Sequence, residues 1–405
     1  MANANDLFIP SDPVDISLGI IKGMVRNKPS TALPDAAMWL LENFHADEDG
    51  PRRRPGSVTF AGGSVVAYQP LRDIFQMFNV AGTQRICILD KNFLYNVSGT
   101  NFVRQGWTYS AGTVRNTAAH VQGNATVDFS TAKILAGDYI LLKPGVSQQE
   151  LQISQYIGKS QLQLVAAPTL TYPAGTAYKV FRAFAYVAST YVDWCLCDNA
   201  VAFADGQRPV TKWDGATLSA WKAAETFVPK AVCYFMDRLW AFNTIAYDPT
   251  SGTKRRRIRW TSTLDRTNFG SVGTGSDTQW LDRPYAPGDG LRIVPMGKLL
   301  IAFYSDGIDV GRPTNIAGDT LPVAFERLET GGAGLVGMKA VCSFYDGLFC
   351  FLDDNVYSLS NSGLKAIGTP VFKEMIKGLK SLQGIQLVID WKNDCLLVGV
   401  PDNNF

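Results

Sequence analysis

SFYDGLFCFLDDNVYSL (343–359) decides how this chain is read. A hydrophobic strand runs into a turn of Asp and Gly, and a second hydrophobic strand comes straight back. The same phrase recurs as RICILDKNFLYNV (85–97), WCLCDNAVAFADG (194–206), CYFMDRLWAFNT (233–244), VPMGKLLIAFYSDGIDVG (294–311) and DWKNDCLLVGVPDN (390–403). A single hairpin cannot bury its apolar face, so repeated hairpins must stack on one another. The turn residues Asp90, Asp198, Asp237, Gly297, Asp346 and Asn393 are spaced by 108, 39, 60, 49 and 47 residues. All but the first interval scatter around the roughly 40–50 residues of a propeller blade. The expected fold is therefore all-β: a β-propeller of about six blades, with one insertion where the spacing is too wide.

The surplus falls at 109–181. There AGDYILLKPGVSQQELQISQYIGKSQLQLVAAP (136–168) alternates apolar and polar residues between Gly-Asp and Pro-Gly turns. Period-two alternation of this kind predicts five or six antiparallel strands in a small barrel. Ile140, Leu142, Leu151, Ile153, Leu162 and Leu164 should point inward. The organisation read from these patterns is an N-terminal arm over 1–56, a first propeller part over 57–108, the inserted barrel-like domain over 109–181 and the remaining blades over 182–405. PDAAMWLLENFHADEDG (34–50) suggests one short helix with Pro34 at its start. SVTFAGGSVVAYQP (57–70) suggests a strand that closes the ring onto the last blade. Otherwise the native chain continues beyond residue 405.

Composition fits this reading. Hydrophobic residues make up 46% and charged residues 18% of 405, enough for a large core. The 37 glycines and 20 prolines suit many short strands joined by tight turns. A net charge of +2 gives no global attraction to nucleic acid or an anionic membrane. No apolar run approaches the ~20 residues of a membrane span. The opening MANANDLFIPSDP has no basic-then-apolar leader pattern. All seven cysteines (Cys87, Cys195, Cys197, Cys233, Cys342, Cys350, Cys395) lie in strand phrases, which predicts buried, reduced thiols.

No catalytic or metal constellation is visible, and no cofactor is expected. His45 and His120 lie in different segments, and Cys195-x-Cys197 has no second pair. TGGAGLVG (330–337) lacks the Lys-Ser/Thr ending of a phosphate loop. Asp237, Asp265 and Asp346 are candidate carboxylates for sugar cleavage, but Asp at turns is favoured for backbone reasons alone. Two basic runs remain: Arg52, Arg53 and Arg54, then Lys254, Arg255, Arg256 and Arg257. They are the candidate partner or subunit contacts. Strand alternation splits the second run between two faces.

Three phrases, in order, carry a resemblance. LPDAAMWLLENFHADEDGPRRRPGSV (33–58) has a Leu-Pro-Asp…Asn-Phe…Arg-x-Arg-Pro-Gly pattern. CYFMDRLWAFNTIAYDPTSGTKRRRIRWTSTLDRTNFG (233–270) sets Arg257, Trp260, Ser262, Asp265, Asn268 and Phe269 against an Arg-x-x-Trp-Ser…Asp-x-x-Asn-Phe pattern, with Thr261 between Trp and Ser. The inserted segment supplies the third. Together they resemble the family of nozzle, tail tubular protein B-like and tail-stabilisation proteins of short-tailed phages. The resemblance implies a structural, non-enzymatic virion protein assembled in the host bacterial cytoplasm. It implies a homo-oligomeric ring, most often hexameric, around the path by which genomic DNA leaves the capsid without sequence-specific binding. The implied partners are the portal or adaptor above and tail fibres or a needle below. The alternative function is a carbohydrate-binding or glycan-cleaving propeller associated with host recognition.

Overall fold

Five stretches of the chain, the first separated from the rest by an inserted segment, each fold into a four-stranded antiparallel sheet in simple meander order. The computed structural model describes residues 44–47, 50–53, 73–78, 84–89, 93–98, 101–131, 134, 136–145, 147–181, 192–222, 227–245, 253–269, 279–283, 288–314, 321–353, 355–367, 381–391 and 395–399. Among them there is no helix. The first sheet contains Asp73–Phe78, Gln84–Leu89, Leu94–Ser98 and Asn101–Arg104. The second contains Asp193–Cys197, Ala200–Ala204, Thr211–Trp213 and Leu218–Ala220. The third contains Val228–Phe235, Arg238–Ile245, Thr253–Trp260 and Trp280–Asp282. The fourth contains Gly290–Met296, Leu299–Tyr304, Gly307–Pro313 and Val323–Leu328. The fifth contains Val341–Phe344, Gly347–Leu352, Asn355–Ser360 and Gly363–Ala366. A two-stranded hairpin, Gln386–Asp390 with Cys395–Gly399, follows it. The recurring phrase is the first hairpin of the second to fifth sheets, and the second and third strands of the first sheet.

The first four of these sheets pack against one another in sequence order, and residue size sets the fit. Ala200–Ala204 in the second sheet is buried at every position. Val201 and Phe203 join Phe75, Met77 and Leu89 in a core with the first sheet. Ala200, Ala202 and Ala204, on the other side, pack with Val232, Leu239 and Phe269 against the third. An unbroken apolar run is what a strand covered on both faces requires. The third and fourth sheets share Trp240, Phe242, Trp260, Leu300, Ala302 and Tyr304. The first strands of the second, third and fourth sheets lie side by side, as do Val341–Phe344 and Gln386–Asp390.

Turn chemistry explains the Asp-rich signature. Asp198 and Asn199 both adopt positive φ (48° and 61°) between strands that end at Cys197 and restart at Ala200. Met236 and Asp237 do the same at 50° and 54°. Two-residue hairpin turns need this conformation to match strand twist, and Asn and Asp tolerate it best. The turns at Asp90 and Asn393 lie outside the described residues. Met236 is a poor residue for such a turn. Met236→Asn is expected to raise stability by about 1 kcal/mol, read as a higher melting temperature; a lower one would refute the strain.

The inserted segment forms one seven-stranded antiparallel sheet. Its strands, in spatial order, are Trp107–Tyr109, Tyr178–Phe181, Tyr139–Leu142, Gln149–Gly158, Gln161–Leu164, His120–Gly123 and Val114–Thr117. It starts earlier and has more strands than the five or six expected over 109–181, because Trp107–Tyr109 pairs with Tyr178–Phe181. Val114 and Thr176 exchange backbone hydrogen bonds of 2.9 and 3.1 Å, which rolls the sheet into a half-barrel. Ile140, Leu142, Ile153, Leu162 and Leu164 are buried in its core, and Leu151 packs against it half-buried.

Phe44–Asp47 pairs with Gly50–Arg53. The end of the segment read as a short helix is therefore a strand. The rest of that segment, the 57–70 strand and Arg54 lie outside the described residues.

Candidate functional site

Two fastenings built from the repeats carry most of the polar residues of note. The first runs along the first strands of the sheets. Asp73 accepts hydrogen bonds from its neighbour Ile74 N (3.0 Å) and from Trp194 Nε1 of the second sheet (2.8 Å). It also pairs with Lys339, just before the fifth sheet. Asp193, almost fully buried, accepts the Val232 amide of the third sheet at 3.1 Å. Arg292 of the fourth sheet lies 3.6 Å from the same carboxylate and donates to the Met338 carbonyl at 2.9 Å. Lys339 O in turn accepts the Leu387 amide of the terminal hairpin at 2.9 Å. The links therefore run from the first sheet through to the fifth and return to the first through Lys339. Two acids and two bases balance within this set.

The second fastening is the loop after Trp260, which holds the Ser262…Asp265…Asn268-Phe269 pattern. Asp265 caps its own turn: Thr267 N and Oγ1 donate to its Oδ1 at 2.9 and 2.6 Å. Those bonds hold the carboxyl below its ordinary 3.8. Ser262 N donates to Asn268 O (2.9 Å), and Asn268 N to Asp265 O (2.9 Å). The knot drives Phe269 into the core, where its ring meets Phe227 edge-on at 4.9 Å. It also aims Arg266 at two hairpin turns at once. Arg266 pairs with Asp198 (2.8 Å) and Asp237 (3.5 Å), while Trp221 Nε1 donates to its carbonyl (2.7 Å). Tyr234 OH donates to Asp237 at 2.9 Å. Asp237 and Asp265, candidate sugar-cleaving carboxylates, thus have partners in turn and latch geometry.

The basic run Lys254–Arg257 sits on the third strand of its sheet, two strands away from the first-strand side. Arg257 is buried, with a bidentate pair to Asp282 at 2.7 and 2.9 Å and the Trp280 ring 4.0 Å away. Arg255 is exposed and pairs with Asp289 at 3.2 Å. Lys254 and Arg256 are half-buried. Arg255 is exposed while Arg257, two residues on, is buried; a register shift opposite Phe242–Thr244, not simple alternation, divides the run, and Arg257 is committed internally. Arg52 and Arg53 lie on Gly50–Arg53.

Burial works against ionisation of Asp282, but the hydrogen bond and charge of Arg257 outweigh it and hold the carboxyl below its ordinary 3.8. A depressed carboxyl contributes stability above its unfolded value and loses it as pH falls through the folded value. Arg257→Met is therefore expected to destabilise the chain most near pH ~7, with the difference shrinking below pH ~4. Urea titrations across pH read this; a constant difference would contradict it.

Three features carried no sequence signal that the reading used. Arg208 and Asp138 form a buried pair at 2.7 Å that fixes the inserted sheet to the second sheet. Arg104 does the same from the first sheet, 2.6 Å from Glu150 and 3.9 Å above Phe93. Asp309, fully buried, lies 2.7 Å from Arg283 and 3.6 Å from Arg327. Each joins residues 26 or more positions apart or on different sheets, except the Arg327 pair, which crosses neighbouring strands. The described cysteines are free, and burial pushes Cys87, Cys197 and Cys350 up to about 12. Among the described residues, no group of His, Cys, Asp and Glu is gathered for a metal, and no helix is long and apolar enough to cross a membrane.

No family model matches the chain, and neither does any curated protein. Solved structures give faint likenesses. The extracellular domain of the hybrid two-component system BT4673 from B. thetaiotaomicron is 8% identical, with a TM-score of 0.31 over 83% of this chain. This chain spans 38% of that domain's length. The computationally designed Ika8 protein is 10% identical, with a TM-score of 0.32 over 82% of this chain and 96% of its own. AztD from Citrobacter koseri is 11% identical, with a TM-score of 0.30 over 78% and 72%. These scores are too low to carry an argument about fold or function.

Proposed function

We propose that this chain is a structural component of a tailed-phage virion, a nozzle, hub or neck ring that forms part of the DNA-ejection conduit. The observation that carries the reading is that the Arg257…Phe269 phrase, which resembles the tail family's, builds a latch rather than a reaction site. Arg257, Trp260, Ser262, Asp265, Asn268 and Phe269 all have internal partners or bury. In this reading the five sheets and the terminal hairpin are blades of a propeller, closed by Lys339 and Asp73. The propeller is a rigid wedge. The inserted half-barrel, held by Arg208 and Arg104, and the exposed Arg255 face neighbouring subunits, a portal or adaptor, or fibre proteins.

A conduit must not hold the phosphates that pass through it, since each basic contact adds salt-dependent affinity for DNA. The lumen is accordingly neutral or acidic, and Lys254–Arg257 lies away from it. Native mass spectrometry of the chain, alone and with portal–adaptor complexes, tests the assembly. Rings, most simply hexamers, are expected in at least one of the two conditions. A strict monomer in both would overturn the reading.

A further inference from the structure

We propose that the hairpin turn of the fifth sheet is a glycan-binding platform on which a hexopyranose ring stacks against Trp391 and Tyr345 beside the Asp346 carboxylate. The starting observation is a departure from the repeat. In the second and third sheets the corresponding turn aspartates, Asp198 and Asp237, are held by Arg266. In the fifth sheet Asp346 is exposed and no hydrogen bond or ion pair engages it among the described residues. The residue before it, Tyr345, sits at φ 47° and is 75% exposed. That is the left-handed turn position Met236 holds in the third sheet, at a cost on the order of 1–2 kcal/mol for a bulky side chain.

Trp391, at the end of Gln386–Asp390, is 60% exposed and completes the platform. Its ring stacks on Phe344 at 5.5 Å and 19° and meets Tyr345 at 5.5 Å and 88°. Phe344 in turn contacts Phe349 at 5.1 Å and Tyr345 at 4.5 Å. The rings touch one another, so no space is left between them for the cation that an aromatic cage would enclose. What the cluster offers outward is exposed aromatic surface with a carboxylate next to it. The C–H face of a pyranose matches the rings, and its hydroxyls can donate to Asp346. This inference does not depend on ring assembly.

Saturation-transfer NMR and titration with soluble gluco-, galacto- and manno-configured oligosaccharides test it on the intact chain. At least one series is expected to bind. Trp391→Ala and Tyr345→Gly are each expected to weaken it by about tenfold, and Asp346→Asn by less. Tyr345→Gly removes the strained conformation, so its melting temperature is expected to hold or rise, which separates lost binding from lost folding. If no oligosaccharide binds the wild-type chain, or the variants bind unchanged, the proposal fails. If the variants impair only ring formation in native mass spectrometry, the cluster is a subunit contact and the proposal fails while the ring reading stands.

Discussion

Asp193→Ala is expected to lower the free energy of unfolding by about 3 kcal/mol, toward the lower end of what removing one partner of a buried charge pair costs. The carboxylate is 3% exposed and has two engagements, the Val232 amide and Arg292. Without it the Val232 amide, in a buried strand, loses its side-chain acceptor, and Arg292 loses its counter-charge. Arg292 is 21% exposed and keeps the Met338 carbonyl, so solvent and that bond soften the loss. Replacing both partners, as Asp193→Leu with Arg292→Met, should cost less than Asp193→Ala alone, because no charge is then stranded. Urea unfolding of the three chains measures this. A loss below about 1 kcal/mol for Asp193→Ala would place the pair among ordinary surface contacts.

Phe269→Ala should cost about 3–5 kcal/mol. The ring is fully buried between the second and third sheets, among Ala202, Val210, Trp221 and Leu239. Ala202 has no bulk to fill the space it would leave. The other latch residues should matter far less. Arg266→Ala breaks pairs that are between about one-third and two-thirds exposed, worth about 0–1 kcal/mol. Asp265→Ala removes turn bonds worth about 1 kcal/mol. The expected order, Phe269 far above Asp265 and Arg266, says that the polar knot positions an apolar plug. Equal costs across the three would contradict that division.

How much of this was legible in the sequence depended on the range of the interaction. The hairpins were readable because a turn such as Asp198-Asn199 and its flanking strands are contiguous. The inward residues of the inserted sheet were readable because alternation along one strand reports its two faces directly. Trp107–Tyr109 escaped because its partner, Tyr178–Phe181, is about seventy residues away and three residues show no period. Arg208 with Asp138, Lys339 with Asp73 and Arg292 with Asp193 escaped for the same reason. No local pattern distinguishes a charged residue that will find a distant partner from one that stays in solvent. Alternation predicts a basic run at 254–257 split between two faces, yet Arg257 is buried against Asp282 through a register shift that no local pattern announces. Asp346 and Tyr345 stand out only by comparison with the equivalent turns, once the fate of Asp198 and Asp237 is known.

Cryo-electron microscopy of virions purified from cells that produce this chain tests the central proposal most directly. A closed ring of copies around the DNA path below the portal is predicted, with Lys254–Arg257 turned away from the lumen. Particles that lack the chain, or a ring whose DNA-facing wall is made by Arg255–Arg257, would contradict it.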